Sequence, residues 1–285
     1  MKAVVCCLCP DTKQRAHLRL VWPSWQDYAK RHSLPIRAIS DPPVREHMYW
    51  GKYFLLDLPE LREYDTALVL DNDILISANA PSVLADWNPE FVGMVDERAQ
   101  FGWDDEDVRR YYEDYGIAIG PKAAEMKILN GGVLVYGRQH VDLFRQTYES
   151  WLQSRSTARE AVNWRMTFLL ANDQPHVGLA LQQAGTSQLL DPRFNRLWWS
   201  WWLNDQQRAE WPFKIYAKAS KMLTPFLPRF LTDPIAAPGL RAINRALREN
   251  FFLHFAGSKS PFHLLAHRGD YDLSTSPGKQ FGAQY

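Results

Sequence analysis

The sequence has almost no net charge and no long apolar segment. Its 33 lysines and arginines nearly balance its 32 aspartates and glutamates, so the formal net charge is +1. A chain this close to neutrality has no overall attraction to nucleic acid or to an anionic lipid surface. No apolar run reaches the length that spans a bilayer, and the N-terminus lacks a signal-peptide pattern. With 285 residues, we expect one large globular domain or one domain with an appendage.

Cysteine is scarce as well, and its three copies, Cys6, Cys7 and Cys9, lie together in one apolar run. A zinc site would need further ligands, and the sequence offers no second cysteine pair. A redox pair would begin a helix, whereas this run has the pattern of a strand. We therefore interpret all three as buried free thiols of a first core strand. Free thiols are typical of a reducing compartment, which favours the cytoplasm.

Short β-rich apolar runs alternate with helix-like stretches over the first two thirds of the chain. The predicted strands cover residues 3–9, 36–39, 66–70, 91–95 and 132–136, and the predicted helices cover 16–32 and 49–61. This alternation is typical of α/β proteins, in which helices flank a central sheet.

Two stretches depart from the alternation. Residues 96–114 are acidic with interspersed aromatic side chains, and we expect a long loop, with at most one helical turn, that acts as a lid. Residues 198–250 are rich in tryptophan, proline and basic side chains, with helical patterns at 213–223 and 240–247. Their apolar and basic faces suit a membrane-surface or acceptor-binding element, with ordinary packing on the core as the alternative.

The most informative segment is Asp71-Asn72-Asp73, which stands between two apolar runs, 66–70 and 74–76. Carboxylates at the end of a buried strand cost free energy unless a cation compensates them. A short bend after the strand lets both carboxylates reach one ion, and hard oxygen ligands suit Mg²⁺ or Mn²⁺ that also holds a diphosphate. A polar turn is the alternative, and the apolar flanks favour the metal site.

Two further polar segments suit the recognition of a sugar. Asn130-Gly131-Gly132 precedes a predicted strand, where the glycines permit close backbone approach to a ligand and the amide both donates and accepts. A tight turn explains this segment equally well. Asp173-Gln174 places an acid beside an amide. Such a pair can bind sugar hydroxyls or stabilise positive charge at an anomeric carbon.

Two basic groups complete the set of candidates. His254 is followed by Gly257 and Lys259, so that an imidazole can join carboxylates on a metal while a backbone N–H and a lysine contact phosphate. A histidine packed in the core is the alternative. Lys52 lies between Trp50 and Tyr53, which favours a cleft over the solvent-exposed surface that is usual for lysine.

The order of these motifs resembles that of the GT-A glycosyltransferases, most closely the retaining family-8 type of glycogenin and the bacterial lipooligosaccharide galactosyltransferases. The matching features, in family order, are Lys52, the D-x-D of Asp71 and Asp73, Asp96 after 92–95, the N-x-G of Asn130 to Gly132, the D-Q of Asp173 and Gln174, and the H-x-x-G of His254 and Gly257 with Lys259. Lys259 lies one residue earlier than the family pattern has it. The resemblance covers 1–200 and 250–262 as a catalytic domain and leaves 201–249 as a basic helical insertion and 263–285 as a C-terminal tail.

The resemblance implies a Rossmann-like GT-A fold, with a mixed central sheet flanked by helices, and a metal-dependent hexosyltransferase. A sugar would pass with retention from a nucleotide-diphosphate donor, a UDP-sugar, to a glycan, a lipid-linked or another acceptor. The implied ligands of Mn²⁺ or Mg²⁺ are Asp71, Asp73 and His254, and the implied catalytic residues are Asp173 and Gln174, with Gln174 near the anomeric carbon. The implied donor-binding residues are Lys52, Asn72, Asp96, Asn130, Gly131, Gly132, Gly257 and Lys259.

Other functions stay open at this point. A nucleotidyltransferase has a similar sheet but needs a glycine-rich loop after the first strand, where this chain has Pro10 to Lys13 without glycine. A glycoside hydrolase needs two acids across a cleft, and no motif marks them. A non-catalytic protein that binds sugar nucleotides is a further alternative. We expect a cytoplasmic protein, with peripheral contact to the inner face of a membrane through 213–248, and nucleic acid stays open as an acceptor.

Overall fold

The computed structural model describes residues 1–45, 47–158, 173–198, 200 and 240–256. The chain divides into two compact units. The first unit comprises Met1–Pro10, Leu34–Asp71 and Ser82–Pro192, and the second unit comprises Asp11–Ser33, Asn72–Pro81 and Arg193–Tyr285.

The regular elements are nine strands and six helices within the described residues, together with short 3₁₀ segments. The strands are β1 Ala3–Leu8, β2 Ile36–Ile39, β3 Thr66–Leu70, β4 Ile74–Ile76, β5 Val92–Asp96, β6 Leu129–Gly137, β7 Ser187–Leu189, β8 Arg196–Leu197 and β9 Phe252–His254. The helices are α1 Thr12–Arg31, α2 Arg98–Phe101, α3 Asp105–Asp114, α4 Val141–Ala158, α5 Gln174–Gln183 and α6 240–249. The 3₁₀ helices are Met48–Asp57, Pro59–Leu61, Gly120–Ala124, Arg138–His140 and Pro192–Asn195.

The first unit contains a mixed sheet of six strands in the order β2-β1-β3-β6-β5-β7. β1 pairs in parallel with β2 and β3, whereas β6 is antiparallel to β3 and β5. Every residue of β3 and β6 is buried, as their continuous apolar runs require. Because Leu70 pairs with Val133, the end of β3 and the beginning of β6 meet at the same end of the sheet.

Aromatic side chains pack the 3₁₀ helix Met48–Asp57 and α4 against each other in the first unit. The rings of Trp50 and Trp151 lie 5.2 Å apart, and those of Tyr53 and Phe144 lie 5.0 Å apart. The Tyr136 hydroxyl, on β6, donates to the Lys52 carbonyl at 3.0 Å, so the sheet itself fixes the position of this 3₁₀ helix. The turn that carries Lys52 is therefore part of the core rather than a surface loop.

The second unit contains a three-stranded sheet in the order β4-β9-β8. β4 is antiparallel to β9, with Ile74 opposite His254. Asp11 caps the N-terminus of helix α1, and its carboxylate accepts the Gln14 N–H at 2.7 Å. The helix packs on β4, where the Trp25 indole N–H donates a hydrogen bond of 2.7 Å to the Ile74 carbonyl.

The structure confirms most predicted elements and corrects two of them. Residues 49–61 form 3₁₀ turns rather than an α-helix. The prediction of a long loop at 96–114 is wrong, since α2 and α3 occupy it. The helical pattern at 240–247 is confirmed by α6, while the pattern at 213–223, most of the 201–249 insertion and the 263–285 tail lie outside the described residues.

The three cysteines are buried and free, as predicted. Burial raises the pKa of the Cys6 thiol well above its usual range, which makes it unreactive.

Within the part of the chain that the structure describes, no helix combines the length and apolarity needed to cross a membrane.

Candidate functional site

Five of the predicted site residues form one cluster in the first unit, which we call the lysine cluster. It comprises Lys52, Asp71, Asn130, Asp173 and Gln174, together with the glycines that follow Asn130. Asp71 comes directly after β3, and its N–H donates to the Gly132 carbonyl at 2.9 Å. The cluster therefore lies where β3 ends and β6 begins.

Lys52 is the centre of the cluster. Its ammonium lies 3.4 Å from the Asp173 carboxylate and 3.7 Å from the Asp71 carboxylate, and it donates to the Gly131 carbonyl at 3.1 Å. Burial lowers the pKa of Lys52, but the charges of Asp173 and Asp71 more than offset this, so the pKa stays above its ordinary value. The lysine is therefore charged and neutralises part of the buried negative charge.

Asp173 is the most deeply buried acid of the cluster, with an exposed fraction of 3%. Besides the ion pair with Lys52, it accepts the hydroxyl of Tyr53 at 2.6 Å. Burial and the charge of Asp173 together raise the pKa of Tyr53 well above its ordinary value, so Tyr53 remains a donor. The carboxylate is therefore held in one orientation without a metal ion.

Gln174 begins α5 and is oriented by bonds at both ends of its amide. Its Oε1 accepts the Gly131 N–H at 3.3 Å, and its Nε2 donates to the Tyr111 hydroxyl at 3.4 Å.

A Cβ atom on Gly131 would lie 2.8 Å from Lys52 Nζ and 3.1 Å from the Tyr53 hydroxyl, so only glycine fits at this position without displacing the lysine.

Asn130 contacts Glu97, an acid that belongs to none of the predicted motifs. Its Oδ1 accepts the Gly132 N–H at 2.6 Å, and its Nδ2 donates to the carboxylate of Glu97, which is 8% exposed. The neighbouring Asp96 is engaged elsewhere, since its Oδ1 accepts the N–H groups of Arg98 and Ile128 at 3.0 Å each. Glu97 is thus the acid that contacts the cluster, while donor binding by Asp96 stays a prediction.

A second pair of predicted residues, Asp73 and His254, lies in the second unit. His254 Nε2 is 3.2 Å from Asp73 Oδ1, and the Phe255 N–H donates to the Asp73 carbonyl at 3.0 Å. The other ring nitrogen, Nδ1, is 3.0 Å from Oδ1 of Asn195, a residue that no sequence signal marked. We call Asp73 and His254 the histidine pair.

The electrostatics of the histidine pair suit a cation. Burial raises the pKa of Asp73, but the positive charges of His254 and then His17 outweigh this and leave the pKa below its ordinary value. Both nitrogens of His254 lie close to oxygen atoms. With Nδ1–H donating to Asn195, the Nε2 lone pair is directed toward the Asp73 carboxylate, where it can bind a cation together with that carboxylate. A carboxylate with an imidazole that an amide orients is a donor set that fits Mn²⁺ or Mg²⁺.

The other predicted metal-binding and donor-binding residues form no further cluster among the described residues. Across the described ranges, no group of three or more histidines, cysteines, aspartates or glutamates is assembled as a metal site. Asp71 is the last residue of a segment that belongs to the first unit. The partly buried Asn72 is the first residue of a segment that belongs to the second unit. Gly257 and Lys259 lie outside the described residues.

Comparison with known proteins supports the fold. No protein-family model and no curated sequence matches the chain. The apo structure of the bifunctional glycosyltransferase WbbM matches with a TM-score of 0.53 at 11% identity, covering 95% of this chain and 50% of WbbM. The chain thus spans about half the length of WbbM.

Two further solved structures are less similar. A glycosyltransferase involved in glycosylation of the major capsid of PBCV-1 has a TM-score of 0.47 at 10% identity, with 94% of this chain and 98% of that one covered. The galactosyltransferase LgtC, in complex with donor and acceptor sugar analogs, has a TM-score of 0.45 at 14% identity, with coverage of 93% and 95%. The chain has the GT-A glycosyltransferase fold, a mixed sheet flanked by helices, which confirms the predicted fold class.

Proposed function

We propose that the chain is a hexosyltransferase that moves a sugar from a nucleotide-diphosphate donor, a UDP-sugar, to an acceptor with retention of anomeric configuration. The observation that carries this proposal is the lysine cluster. A buried cation, two carboxylates and an oriented amide stand together at the end of the sheet in a glycosyltransferase fold. Such a set binds a polyhydroxylated ring through many directed hydrogen bonds.

In this proposal the residues of the cluster hold the donor sugar and act on its anomeric carbon. Asn130 donates its second amide hydrogen to a sugar oxygen, and Asp173 accepts from a hydroxyl. Lys52 contributes to donor binding by holding Asp71, Asp173 and the Gly131 carbonyl in position. The Gln174 amide oxygen stabilises the positive charge that develops as the bond to the diphosphate breaks. Because Gly131 and Tyr111 already orient this amide, little reorganisation is needed when the charge appears.

We further propose that Asp73, His254 and Asp71 bind Mn²⁺ or Mg²⁺. Asp71 and Asp73 are two residues apart, so their Cα atoms stay within about 7 Å of each other in any conformation. A bound ion would neutralise the departing diphosphate. Asn72, Gly257 and Lys259 complete the proposed donor contacts.

The acceptor side and the location also belong to the proposal. We propose a cytoplasmic enzyme whose basic region at 213–248 contacts an anionic membrane surface. In α6 the apolar residues Ala242, Ile243 and Ala246 are buried, whereas Arg241 and Arg248 are exposed. This arrangement supports electrostatic contact through the exposed arginines.

The test is a thermal-shift panel of sugar nucleotides with Mn²⁺, followed by a hydrolysis assay. We expect a UDP-sugar to raise the melting temperature only with the metal present, because ligand that binds the native state stabilises it. We also expect slow release of free sugar that a chelator abolishes. Binding without any release would indicate a non-catalytic sugar-nucleotide-binding protein, and no shift with any sugar nucleotide would refute the proposal.

A further inference from the structure

Four aromatic rings form a continuous, partly exposed row in the first unit, which we call the aromatic ladder. It consists of Phe101, Trp103, Tyr111 and Tyr115, all of intermediate exposure. Phe101 stacks on Trp103 with ring centroids 5.3 Å apart, Trp103 lies 5.8 Å from Tyr111, and Tyr111 lies 5.2 Å from Tyr115. Each ring therefore keeps part of its surface open to solvent while it contacts its neighbours in the row.

The ladder rests on a fixed support. On α3, Val108 and Tyr112 are buried in a core cluster, and the ladder rings of Trp103, Tyr111 and Tyr115 pack against that cluster. The helix begins with a capping box between Asp104 and Asp107, and the Arg98 guanidinium donates to the Trp103 carbonyl at 3.2 Å and to the Ala124 carbonyl at 3.0 Å. The rings are therefore held in place before any ligand arrives, which lowers the entropic cost of binding.

The ladder joins the lysine cluster at Tyr111, whose hydroxyl accepts the Gln174 amide N–H at 3.4 Å. In the proposed function, Gln174 lies near the anomeric carbon. The base of a sugar nucleotide is separated from that carbon by a ribose and two phosphates. The group that meets the ladder beside Gln174 is therefore a sugar rather than the base.

The other end of the ladder opens into a groove between α4 and α5, with a cavity volume of about 740 Å³. Tyr115 belongs to both features. The polar lining residues carry amides and hydroxyls, among them Gln146, Thr147, Ser150 and Gln183, and none of the lining residues that the structure describes is an aspartate, glutamate, lysine or arginine. Burial lowers the pKa of the groove's His176 to about 4, so this ring is neutral at physiological pH.

We propose that the aromatic ladder and the groove form an acceptor subsite for a neutral oligosaccharide. The inference rests on the proposed function and narrows the acceptor to one chemical class.

The chemistry of the surface matches that class of ligand. The face of an aromatic ring carries partial negative charge, which attracts the C–H face of a pyranose. Amides and hydroxyls then meet the hydroxyl edges of the sugar. A sulfated, sialylated or phosphorylated chain would lose hydration beside the described lining, which offers no lysine or arginine, and that loss disfavours binding.

The test is an array of neutral oligosaccharides, including lactose and maltotriose, beside sialylated, sulfated and phosphorylated glycans, probed with the full chain. The best neutral binder is then titrated against variants. We expect Trp103→Ala and Ser150→Trp each to weaken the affinity about tenfold, the first by removing a stacking ring and the second by filling the groove. Ser150 is exposed on α4, so its substitution does not disturb the core.

Matched controls are Glu149→Trp and Tyr49→Ala. Glu149 neighbours Ser150 but does not line the groove, and Tyr49 is an aromatic residue with an exposed fraction of 50% outside the ladder. We expect less than a twofold change from either. Binding of anionic glycans only, binding of no neutral glycan, or equal affinity of all variants would overturn the inference. Hydrolysis of a UDP-sugar by the unmodified chain reports separately on the proposed function, so the two can fail independently.

Discussion

The lysine cluster and the histidine pair handle buried charge in opposite ways. In the first, Lys52 stands between two carboxylates and its own pKa is raised by them. In the second, both nitrogens of His254 face oxygen atoms, those of Asp73 and Asn195. The first site contains its own cation, whereas in the second we propose that a metal ion binds.

In the proposed function, this difference corresponds to different ligands at the two sites. A site whose charges are already paired gains from directed hydrogen bonds, which suits a neutral sugar. A site with an oriented imidazole beside a carboxylate gains from a cation, which suits the neutralisation of a diphosphate. The predictions below test this division, beginning with the largest expected effect.

The histidine pair is tested by Asp73→Asn. The substitution keeps the size of the side chain and removes the charge, so we expect loss of metal binding and a fall in sugar transfer of about 1,000-fold. The measurement is turnover in a titration with Mn²⁺, with Asp86→Asn, at an exposed position, as control. Full activity of Asp73→Asn in the presence of a chelator would show that sugar transfer does not depend on a metal ion.

The lysine cluster is tested by Lys52→Met. Removal of the ammonium leaves Asp71 and Asp173 without their cation, and we expect a loss of about 3–5 kcal/mol in the free energy of unfolding. Urea unfolding gives this value, and the exposed Lys122 offers a matched substitution that should cost about 0.5 kcal/mol or less. The double variant with Asp173→Asn should recover part of the loss. If the two losses simply add, the ion pair is not the cause.

Gly131→Ala tests whether the lysine cluster remains stable when the Lys52 ammonium is displaced. The new methyl would lie 2.8 Å from Lys52 Nζ, so we expect a loss of about 1–3 kcal/mol in stability and weaker donor binding. Gly178→Ala is the control, because its nearest neighbour would be at an ordinary 3.6 Å and alanine favours a helix. Equal stability of the two variants would show that Lys52 relocates freely.

The smallest effect separates the two neighbouring acids. Glu97→Gln weakens a charged hydrogen bond to Asn130, and we expect a fall in kcat/KM of about fivefold, equivalent to about 1 kcal/mol. Asp96→Asn retains the oxygen that accepts the N–H groups of Arg98 and Ile128, so kcat/KM should change little. The opposite ranking would support the prediction that Asp96 binds the donor.

The sequence predicted features that depend on local pattern. The buried strand 66–70 with an acid at its end was legible because an apolar run and a polar stop are both local. The helix α3 was missed although its signal was present, since Asp104 and Asp107 are spaced as a capping box. The many acidic residues of this segment favoured the prediction of a loop, so the spacing of the capping box was not used.

Tertiary partners were beyond local patterns. Asn195 bonds to His254, a residue 59 positions away, and no spacing rule links them. Asp96 and Glu97 are adjacent acids, and the choice between them depends on which of the two side chains reaches Asn130. In the ladder, the pairs Phe101–Trp103 and Tyr111–Tyr115 are local, but the contact between Trp103 and Tyr111 depends on how α3 folds back on the segment before it.

The most direct measurement is proton NMR of UDP-glucose and UDP-galactose incubated with the chain and Mg²⁺. The account predicts that one donor is consumed, that the sugar first appears as the α-anomer, and that Gln174→Ala slows this release about 100-fold while the donor Kd stays within twofold. A donor that remains intact under these conditions, or release that Gln174→Ala leaves unchanged, would contradict the claim that the lysine cluster is a site of sugar transfer.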